Sequence, residues 1–197
     1  MQKIKTAILI SGRGSNMKAL IKSSLKENYP AQISLVISNK ENAAGIDFAK
    51  QNNIQTAIIN HKDFTSREDF DRQMAKIIDE NNCQIICLAG FMRILSGWFV
   101  NKYRNHMINI HPSLLPDFKG EKAVADALNA GAKISGCTVH LVTEEMDDGP
   151  IIKQAKVEIL KDDDVETLAA RILKQEHIIY PEALEILCAN ISQSKPY

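Results

Sequence analysis

The chain of 197 residues carries 24 lysine and arginine residues against 24 aspartate and glutamate residues, and 45% of it is hydrophobic. This length suits one domain with a substantial core and is short for two, so we expect a single domain over residues 1–197. Because the formal net charge is +0, no long-range field draws the chain to nucleic acid or to an anionic membrane, and we expect neither as a partner.

The start of the chain and its cysteines predict a cellular compartment. Residues 1–5 run directly into a five-residue, mostly apolar stretch at 6–10, which is far shorter than a signal-peptide core or the roughly 20 residues of a membrane span. The cysteines show no C-x-x-C spacing and have apolar neighbours, which predicts reduced core thiols at Cys83, Cys87, Cys137 and Cys188. We expect a cytoplasmic protein with neither a disulfide nor a zinc site.

The first predicted unit is a strand, a glycine-containing loop and a helix. The strand covers 5–10, the loop 11–16 reads Ser-Gly-Arg-Gly-Ser-Asn, and the helix continues through Lys26. Glycines let backbone amides face outward and a helix N-terminus carries partial positive charge, so the loop favours an anion such as phosphate. It lacks the third glycine of a dinucleotide fingerprint and the Gly-Lys pair of a Walker A loop. A plain glycine turn in which Ser15 or Asn16 caps the helix is the alternative.

Strand and helix patterns alternate along the rest of the chain, which is typical of an α/β fold with a largely parallel sheet. Polar and apolar residues alternate in the last strand, which puts it nearer a sheet edge. Pro181 should break or kink the last helix after Tyr180, and the tail 192–197 should fray. The expected strands are 32–37, 55–59, 84–89, 107–110, 136–142 and 151–159, and the expected helices are 43–52, 66–81 and 164–188.

Polar side chains stand at the end of the strand predicted at 107–110. Asn109 and His111 are two residues apart, so in a strand they face the same side, and Pro112 and Pro116 stop any regular element beyond them. An amide donor beside a titratable imidazole suits acyl-type chemistry, which needs donors for an oxyanion and a proton for a leaving group. A histidine at a strand end can also be a hydrogen-bonded structural residue.

Three motifs begin where a predicted strand ends. They lie at 11–16, 90–95 and 109–111. Open α/β sheets bind ligands at the carboxyl ends of their strands, so this placement brings the three motifs to one edge of the sheet. We therefore expect them to form a single site.

Four stretches in the same order resemble those of the folate-dependent formyltransferase family. They are 11–16, 89–95, the run Asn-Ile-His-Pro-Ser-Leu-Leu-Pro at 109–116, and the acidic turn 143–150, which contains Asp147. The first two are similar to those of members that formylate glycinamide ribonucleotide. The resemblance covers nearly the whole chain and implies a Rossmann-like formyltransferase fold, with an open, mostly parallel twisted sheet of about seven strands and helices on both faces.

The resemblance also implies roles for the residues that match the family's motifs. Asn109, His111 and Asp147 match the catalytic set, and Asp147 is chosen over Asp148 because the family's acid lies two residues before the glycine of Gly-Pro. The matching binding positions are Gly14, Ser15 and Asn16 at the substrate phosphate, Glu176 near the glycinamide end, and Arg67, Met92, Arg93, Ile94, Leu95 and Asn109 at the folate. Glu121 and Lys122 depart from the pattern, which leaves open how that loop closes over the substrate.

The reaction implied by the resemblance is transfer of the formyl group of 10-formyltetrahydrofolate, a cosubstrate, to the amine of glycinamide ribonucleotide in de novo purine biosynthesis. The expected enzyme is a monomer or homodimer that requires no metal. Formyltetrahydrofolate hydrolysis and formylation of initiator tRNA are alternatives within the family, although we expect those relatives to need further domains. A non-catalytic nucleotide-binding module is an alternative of another class, and it leaves Asn109, His111 and Asp147 unexplained.

Overall fold

Strands and helices alternate in the structure, a computed structural model that describes residues 2–193. The strands are β1 (Ile4–Ile10), β2 (Ala31–Ser38), β3 (Gln55–Ile58), β4 (Ile85–Leu88), β5 (Met107–His111), β6 (Ile134–Leu141) and β7 (Ile151–Glu158). The helices are α1 (Ser15–Ser24), α2 (Gly45–Gln51), α3 (Arg67–Glu80), α4 (Gly97–Lys102), α5 (Ala123–Asn129) and α6 (Val165–Ser192). Every strand expected from the sequence is present.

The strands form one seven-stranded sheet in the order β3-β2-β1-β4-β5-β6-β7. The first five strands in this order are parallel to their neighbours, whereas β6 runs antiparallel to β5 and β7 antiparallel to β6. This confirms the expected α/β fold with an open, mostly parallel sheet. It also confirms that the strand with alternating polarity, β7, lies at an edge.

Helices cover both faces of the sheet, as expected, because the central strands are apolar on both sides. In β1, Ile8 and Ile10 pack into an apolar cluster with α1 and α6, while Ala7 and Leu9 pack into a second cluster with α3 and α4. This follows from the two-residue period of a strand. Burying one large side chain such as Ile8 or Leu9 contributes about 1.5–3 kcal/mol. The alternating residues of β1 therefore stabilise the helices on both faces of the sheet.

The predicted break at Pro181 does not occur, because α6 continues through this residue; a kink there stays a prediction. A proline inside a helix costs about 3 kcal/mol through its missing N–H and its steric clash. Residues after it, including Ala183, Leu184 and Leu187, are fully buried, and this packing offsets the cost. Tyr29 also donates a hydrogen bond to the Pro181 carbonyl at 2.8 Å. The expected fraying falls largely on residues 194–197, which lie outside the described residues.

Two short helices, α4 and α5, form where we predicted none. They have six and seven residues, too few for a clear helical period. Ser96 caps α4 by accepting a hydrogen bond from the Phe99 amide at 3.3 Å. No helix among residues 2–193 is long and apolar enough to cross a membrane.

The carboxyl ends of β1, β4 and β5 lie side by side. Leu9 of β1 pairs with Leu88 of β4, which pairs in turn with Asn109 of β5. Beyond the strands, the Ser11 amide donates to the Gly90 carbonyl at 3.1 Å. The three motifs singled out in the sequence therefore meet where the carboxyl ends of these central strands lie side by side, as expected.

Candidate active site

Four polar side chains form a cluster at the end of β5. Asn109 and His111 come from β5, His140 from β6 opposite Asn109, and Asp147 from the turn before β7. The Asp147 carboxylate lies between the two rings, with Oδ2 at 3.3 Å from His111 Nδ1 and Oδ1 at 3.6 Å from His140 Nε2. We call these four residues the carboxylate–histidine cluster.

His111 has an oxygen acceptor at each ring nitrogen. Its Nδ1 faces Asp147, and its Nε2 lies 2.9 Å from the carbonyl oxygen of Phe118. A carbonyl can only accept, so Nε2 carries a proton in this contact, and the imidazolium form satisfies both partners. A substrate oxygen that is to receive the Nε2 proton must displace the Phe118 carbonyl.

Asp147 is held in its charged form by the groups around it. Burial raises the pKa of this carboxyl, but hydrogen bonds from His140 and the Gly120 amide and the charges of His111 and His140 outweigh that effect and lower the pKa. The Gly120 amide donates to Oδ2 at 2.9 Å. Asp147 and Phe118 both have positive φ, at 52°, so backbone strain is concentrated beside the cluster.

His140 is a member of the cluster that we did not predict. Its Nδ1 lies 2.8 Å from the Leu141 carbonyl oxygen, which can only accept, so Nδ1 carries a proton, and its Nε2 lies 3.3 Å from the Asn109 amide nitrogen. A histidine inside an otherwise apolar strand was the available signal, but only the pairing of β5 with β6 puts it opposite Asn109. The amide expected to point into the cleft is therefore oriented by a second histidine.

The loop after β5 is fixed by a buried network that the sequence did not predict. Thr138 donates to the Ser113 carbonyl at 2.7 Å and accepts from the Leu115 amide at 3.1 Å. Gln154 of β7 donates to the same hydroxyl at 2.8 Å. These contacts hold residues 113–115 of the loop against β6 and β7. The loop then continues to Phe118 and Gly120, which contact the cluster.

The glycine loop borders an open cavity of about 230 Å³. Gly14 adopts φ 67° and stands at the N-cap of α1, where no side chain caps the helix. The alternative in which Ser15 or Asn16 caps the helix is therefore wrong, because α1 begins at Ser15. The cavity is lined by Ser11, Gly12, Arg13, Gly14, Ser15, Asn16, Ala89, Gly90 and Met92.

Glu176 of α6 lies beside this cavity, where it accepts a hydrogen bond from the Asn16 amide at 2.7 Å. Both side chains are buried, and the Asn16 Oδ1 atom has no protein partner among residues 2–193. Burial raises the pKa of Glu176, and the bond from Asn16 only partly opposes it. Glu176 therefore contacts the glycine loop, whereas no hydrogen bond within the described chain joins it to the carboxylate–histidine cluster.

The segment 91–96 presents exposed side chains beside the cavity. Met92 and Ile94 are 62% and 56% exposed, Arg93 and Arg67 are also exposed, and Leu95 is half-buried. The Met92 amide donates to the Ser11 hydroxyl at 2.8 Å, which fixes the start of the segment. Asn101 of α4 donates to Glu144 at 2.7 Å, so the turn that carries Asp147 is held against the helix that follows the segment.

Comparison with known proteins identifies related chains. The family model described as formyl transferase matches residues 4–184. The human trifunctional purine biosynthetic protein adenosine-3 is 48% identical over 98% of this chain, and the chain spans about a fifth of that protein's length (19%). Phosphoribosylglycinamide formyltransferase of Escherichia coli (strain K12) is 42% identical over 88% of this chain and 82% of that protein.

Solved structures are similar over nearly the whole chain. A crystal structure of phosphoribosylglycinamide formyltransferase from Brucella melitensis has a TM-score of 0.91 and 47% identity, covering 95% of this chain and 97% of that one. Glycinamide ribonucleotide transformylase 1 from Symbiobacterium toebii has a TM-score of 0.93 and 39% identity, covering 95% of this chain and 89% of that one. The fold agrees with the expectation from the sequence.

Proposed function

The chain belongs to the formyl transferase family, and from that premise we propose that it transfers the formyl group of 10-formyltetrahydrofolate to the amine of glycinamide ribonucleotide in de novo purine biosynthesis. The family implies a folate-derived formyl donor, which is a substrate consumed in each turnover. The acceptor is inferred from the names of the relatives that match most of this chain.

The carboxylate–histidine cluster is the feature that supports this activity most directly. Its buried carboxylate lies within 3.3 Å of one histidine and 3.6 Å of another, at the sheet edge shared with the glycine loop. A paired carboxylate and imidazolium supply a positioned proton and positive charge to a developing oxyanion. A module that only bound nucleotides would not need this cluster.

We assign the chemical steps to the residues of the cluster. The neutral amine of the acceptor attacks the formyl carbon, while Asn109 and the His111 imidazolium donate hydrogen bonds to the oxygen that becomes negative. Asp147, kept charged by its partners, stabilises the imidazolium. The bond from the formyl carbon to N10 then breaks, N10 takes a proton, and the former amine gives one up, so that protons and electrons balance.

The binding sites that we propose surround the same edge. Gly14, Ser15 and Asn16 hold the ribonucleotide phosphate at the start of α1. The family resemblance puts Glu176 near the glycinamide end, and its contact with Asn16 puts it at the border of the ribonucleotide site. The helix start without a side-chain cap leaves backbone amides that suit an anion. The folate residues we propose are Arg67, Met92, Arg93, Ile94, Leu95 and Asn109, which combine exposed apolar surface with cationic and amide groups.

We further propose that residues 1–197 act as one formyltransferase domain, as a monomer or homodimer, on small molecules and in the cytoplasm. The four free, buried cysteines suit a reducing compartment. Among residues 2–193, no group of three or more His, Cys, Asp or Glu side chains is arranged to hold a metal ion, and the steps assigned above use none.

Mixing the protein with 10-formyltetrahydrofolate, with and without glycinamide ribonucleotide, tests the proposed function. We expect tetrahydrofolate and formylated ribonucleotide to form in equal amounts and only when the amine is present. Tetrahydrofolate and formate formed without the amine would instead identify a hydrolase. Absence of both products, with the ribonucleotide still bound, would identify a nucleotide-binding module.

A further inference from the structure

A buried carboxylate that takes no part in the steps above lies on α3. Asp71 has 0% exposure, and its Oδ2 atom accepts a hydrogen bond from the Ser96 amide at 2.6 Å. Its other oxygen, Oδ1, is buried without a hydrogen-bond partner among residues 2–193. Burying a carboxylate is costly unless its oxygens are partnered, so an unfilled acceptor at this position calls for an explanation.

Asp71 fixes the far end of segment 91–96. Ser96, whose amide it binds, is the N-cap of α4 and the last residue of the segment. The near end is fixed by Ser11, which accepts from the Met92 amide. The segment is therefore anchored at both ends, while Met92, Arg93 and Ile94 between the anchors project toward solvent.

Two arginines without ion pairs lie near Asp71. Arg67 is four residues earlier on α3 and thus on the same helix face, and Arg93 is three residues before Ser96. Burial raises the pKa of Asp71, whereas the hydrogen bonds from Ser96 and the positive charges of Arg67 and Arg93 oppose that rise. Among residues 2–193 neither arginine forms an ion pair. Both guanidinium groups therefore lack an ionic partner within the described residues, as does the buried Oδ1 atom of Asp71.

The adjacent arginine is engaged elsewhere. Arg72 pairs with Glu68 at 2.6 Å and stacks over the Trp98 ring at 4.1 Å from its centroid. It is therefore not the partner that Asp71 lacks. This leaves the two arginines that the proposed function assigns to the folate.

We propose that Asp71 is a positioning residue for the formyl donor. When the donor binds, the free Oδ1 atom of Asp71 accepts hydrogen bonds from one edge of the Arg67 or Arg93 guanidinium. A guanidinium has five N–H groups in a planar fork, so an edge held by Asp71 leaves another edge for an acidic group of the ligand. Folates carry such groups in their glutamate moiety. This inference rests on the proposed function and adds a residue that does not touch the donor itself.

Equilibrium binding of 10-formyltetrahydrofolate to the wild-type chain and to Asp71→Asn tests the inference. Asparagine keeps an oxygen for the Ser96 amide but removes the charge, so we expect the dissociation constant for the donor to rise about tenfold, with ribonucleotide affinity unchanged. Asp69→Asn is the matched control, because it makes the same charge change two residues away at an exposed position. We expect Asp69→Asn to leave donor binding unchanged.

The same substitution in an Arg67→Ala, Arg93→Ala background separates positioning from a general structural role. If Asp71 acts through these arginines, Asp71→Asn has no further effect on donor affinity in that background. An equal tenfold loss there, or wild-type affinity in the single variant, would overturn the inference. A wild-type chain that does not bind the donor would instead overturn the proposed function, so the two failures are distinguishable.

Discussion

The carboxylate–histidine cluster and the glycine loop lie at the same edge of the sheet but differ in how their polar groups are satisfied. In the cluster, Asp147 contacts two histidines and the Gly120 amide, and His111 has a partner at each nitrogen. In the glycine loop, the start of α1 has no side-chain cap and Asn16 keeps an oxygen without a protein partner. The cluster is preorganised by the protein, whereas the start of α1 keeps backbone amides that no side chain caps.

This difference indicates that the cluster serves the chemical step and the glycine loop serves substrate binding. Preorganised dipoles and charges stabilise a transition state without reorganising during the reaction, so damage to the cluster should lower kcat. Free groups at a helix start contribute binding energy, so damage to the loop should raise KM for the ribonucleotide. Substitutions in each region therefore test these two roles separately.

The largest effect short of removing His111 itself is expected from Asp147→Asn. The change keeps the shape of the side chain but removes the charge that balances the His111 imidazolium, so kcat should fall about 100-fold or more with little change in either KM. Steady-state kinetics at neutral pH measure this. Asp148→Asn, an exposed neighbour, should leave kcat within experimental error. A rise in KM at constant kcat would move Asp147 from the chemistry to binding.

The lowered pKa of Asp147 also sets a pH window. Because the folded pKa lies below the ordinary 3.8, the stability that the charged carboxylate contributes is present above 3.8 and is lost as pH falls through the folded pKa. The stability difference between wild type and Asp147→Asn should therefore be constant at neutral pH and shrink only below 3.8. Unfolding measured by circular dichroism across this range provides the check. A difference that disappears between pH 5 and 7 would contradict the assigned pKa direction.

An intermediate effect is expected from Gly14→Ala. At φ 67° an added Cβ is strained by about 1–2 kcal/mol, and it would also lie 3.0 Å from Met17 Cε, so the loop should shift and KM for the ribonucleotide should rise about tenfold. Gly131→Ala is the matched control, since Gly131 has φ 65° but nothing within 4 Å. It should cost similar stability and leave KM unchanged. Equal effects of the two variants on KM would remove the loop from the binding site.

The smallest effect is expected from Glu176→Gln. Burial raises the pKa of Glu176, so the unfolded chain ionises first and the folded state loses stability as pH rises above the ordinary 4.5 toward the folded pKa. Glutamine removes this loss, so at neutral pH Tm should rise by about 2–4 °C per 1 kcal/mol recovered. Differential scanning calorimetry of Glu176→Gln and of the exposed variant Glu185→Gln measures the difference. A lower Tm for Glu176→Gln would show that the charged form is the stable one.

Much of the fold could be predicted because its signals are local. Apolar runs bounded by polar loops predicted every strand, and the helices predicted from residues 66 and 164 do begin there, with Ser66 and Asp164 as the N-caps of α3 and α6. The short helices α4 and α5 could not be predicted, because six or seven residues carry too little periodicity. Continuation of α6 through Pro181 depends on packing from other elements.

The site residues also fall into those that a local sequence pattern predicts and those that it does not. Asn109 and His111 stand out because they are polar residues at the end of a buried strand, and the glycine loop stands out by composition. His140, Thr138 and Asp71 could not be assigned, because their partners are distant in sequence. His140 lies opposite Asn109 through the pairing of β5 with β6. Thr138 binds the loop after β5, and Asp71 of α3 binds the amide of Ser96 at the start of α4. Residues of this kind are defined by tertiary contacts, which no local pattern records.

Single-turnover formyl transfer with both substrates saturating is the most direct test of the division between chemistry and binding. For His111→Ala we predict a rate that falls by about 10²–10⁴-fold while both dissociation constants stay at wild-type values. For Gly14→Ala we predict the wild-type rate once the ribonucleotide is saturating, and His106→Ala, which alters a histidine outside the cluster, should match the wild type. A His111→Ala variant that reacts at the wild-type rate when saturated would contradict the account.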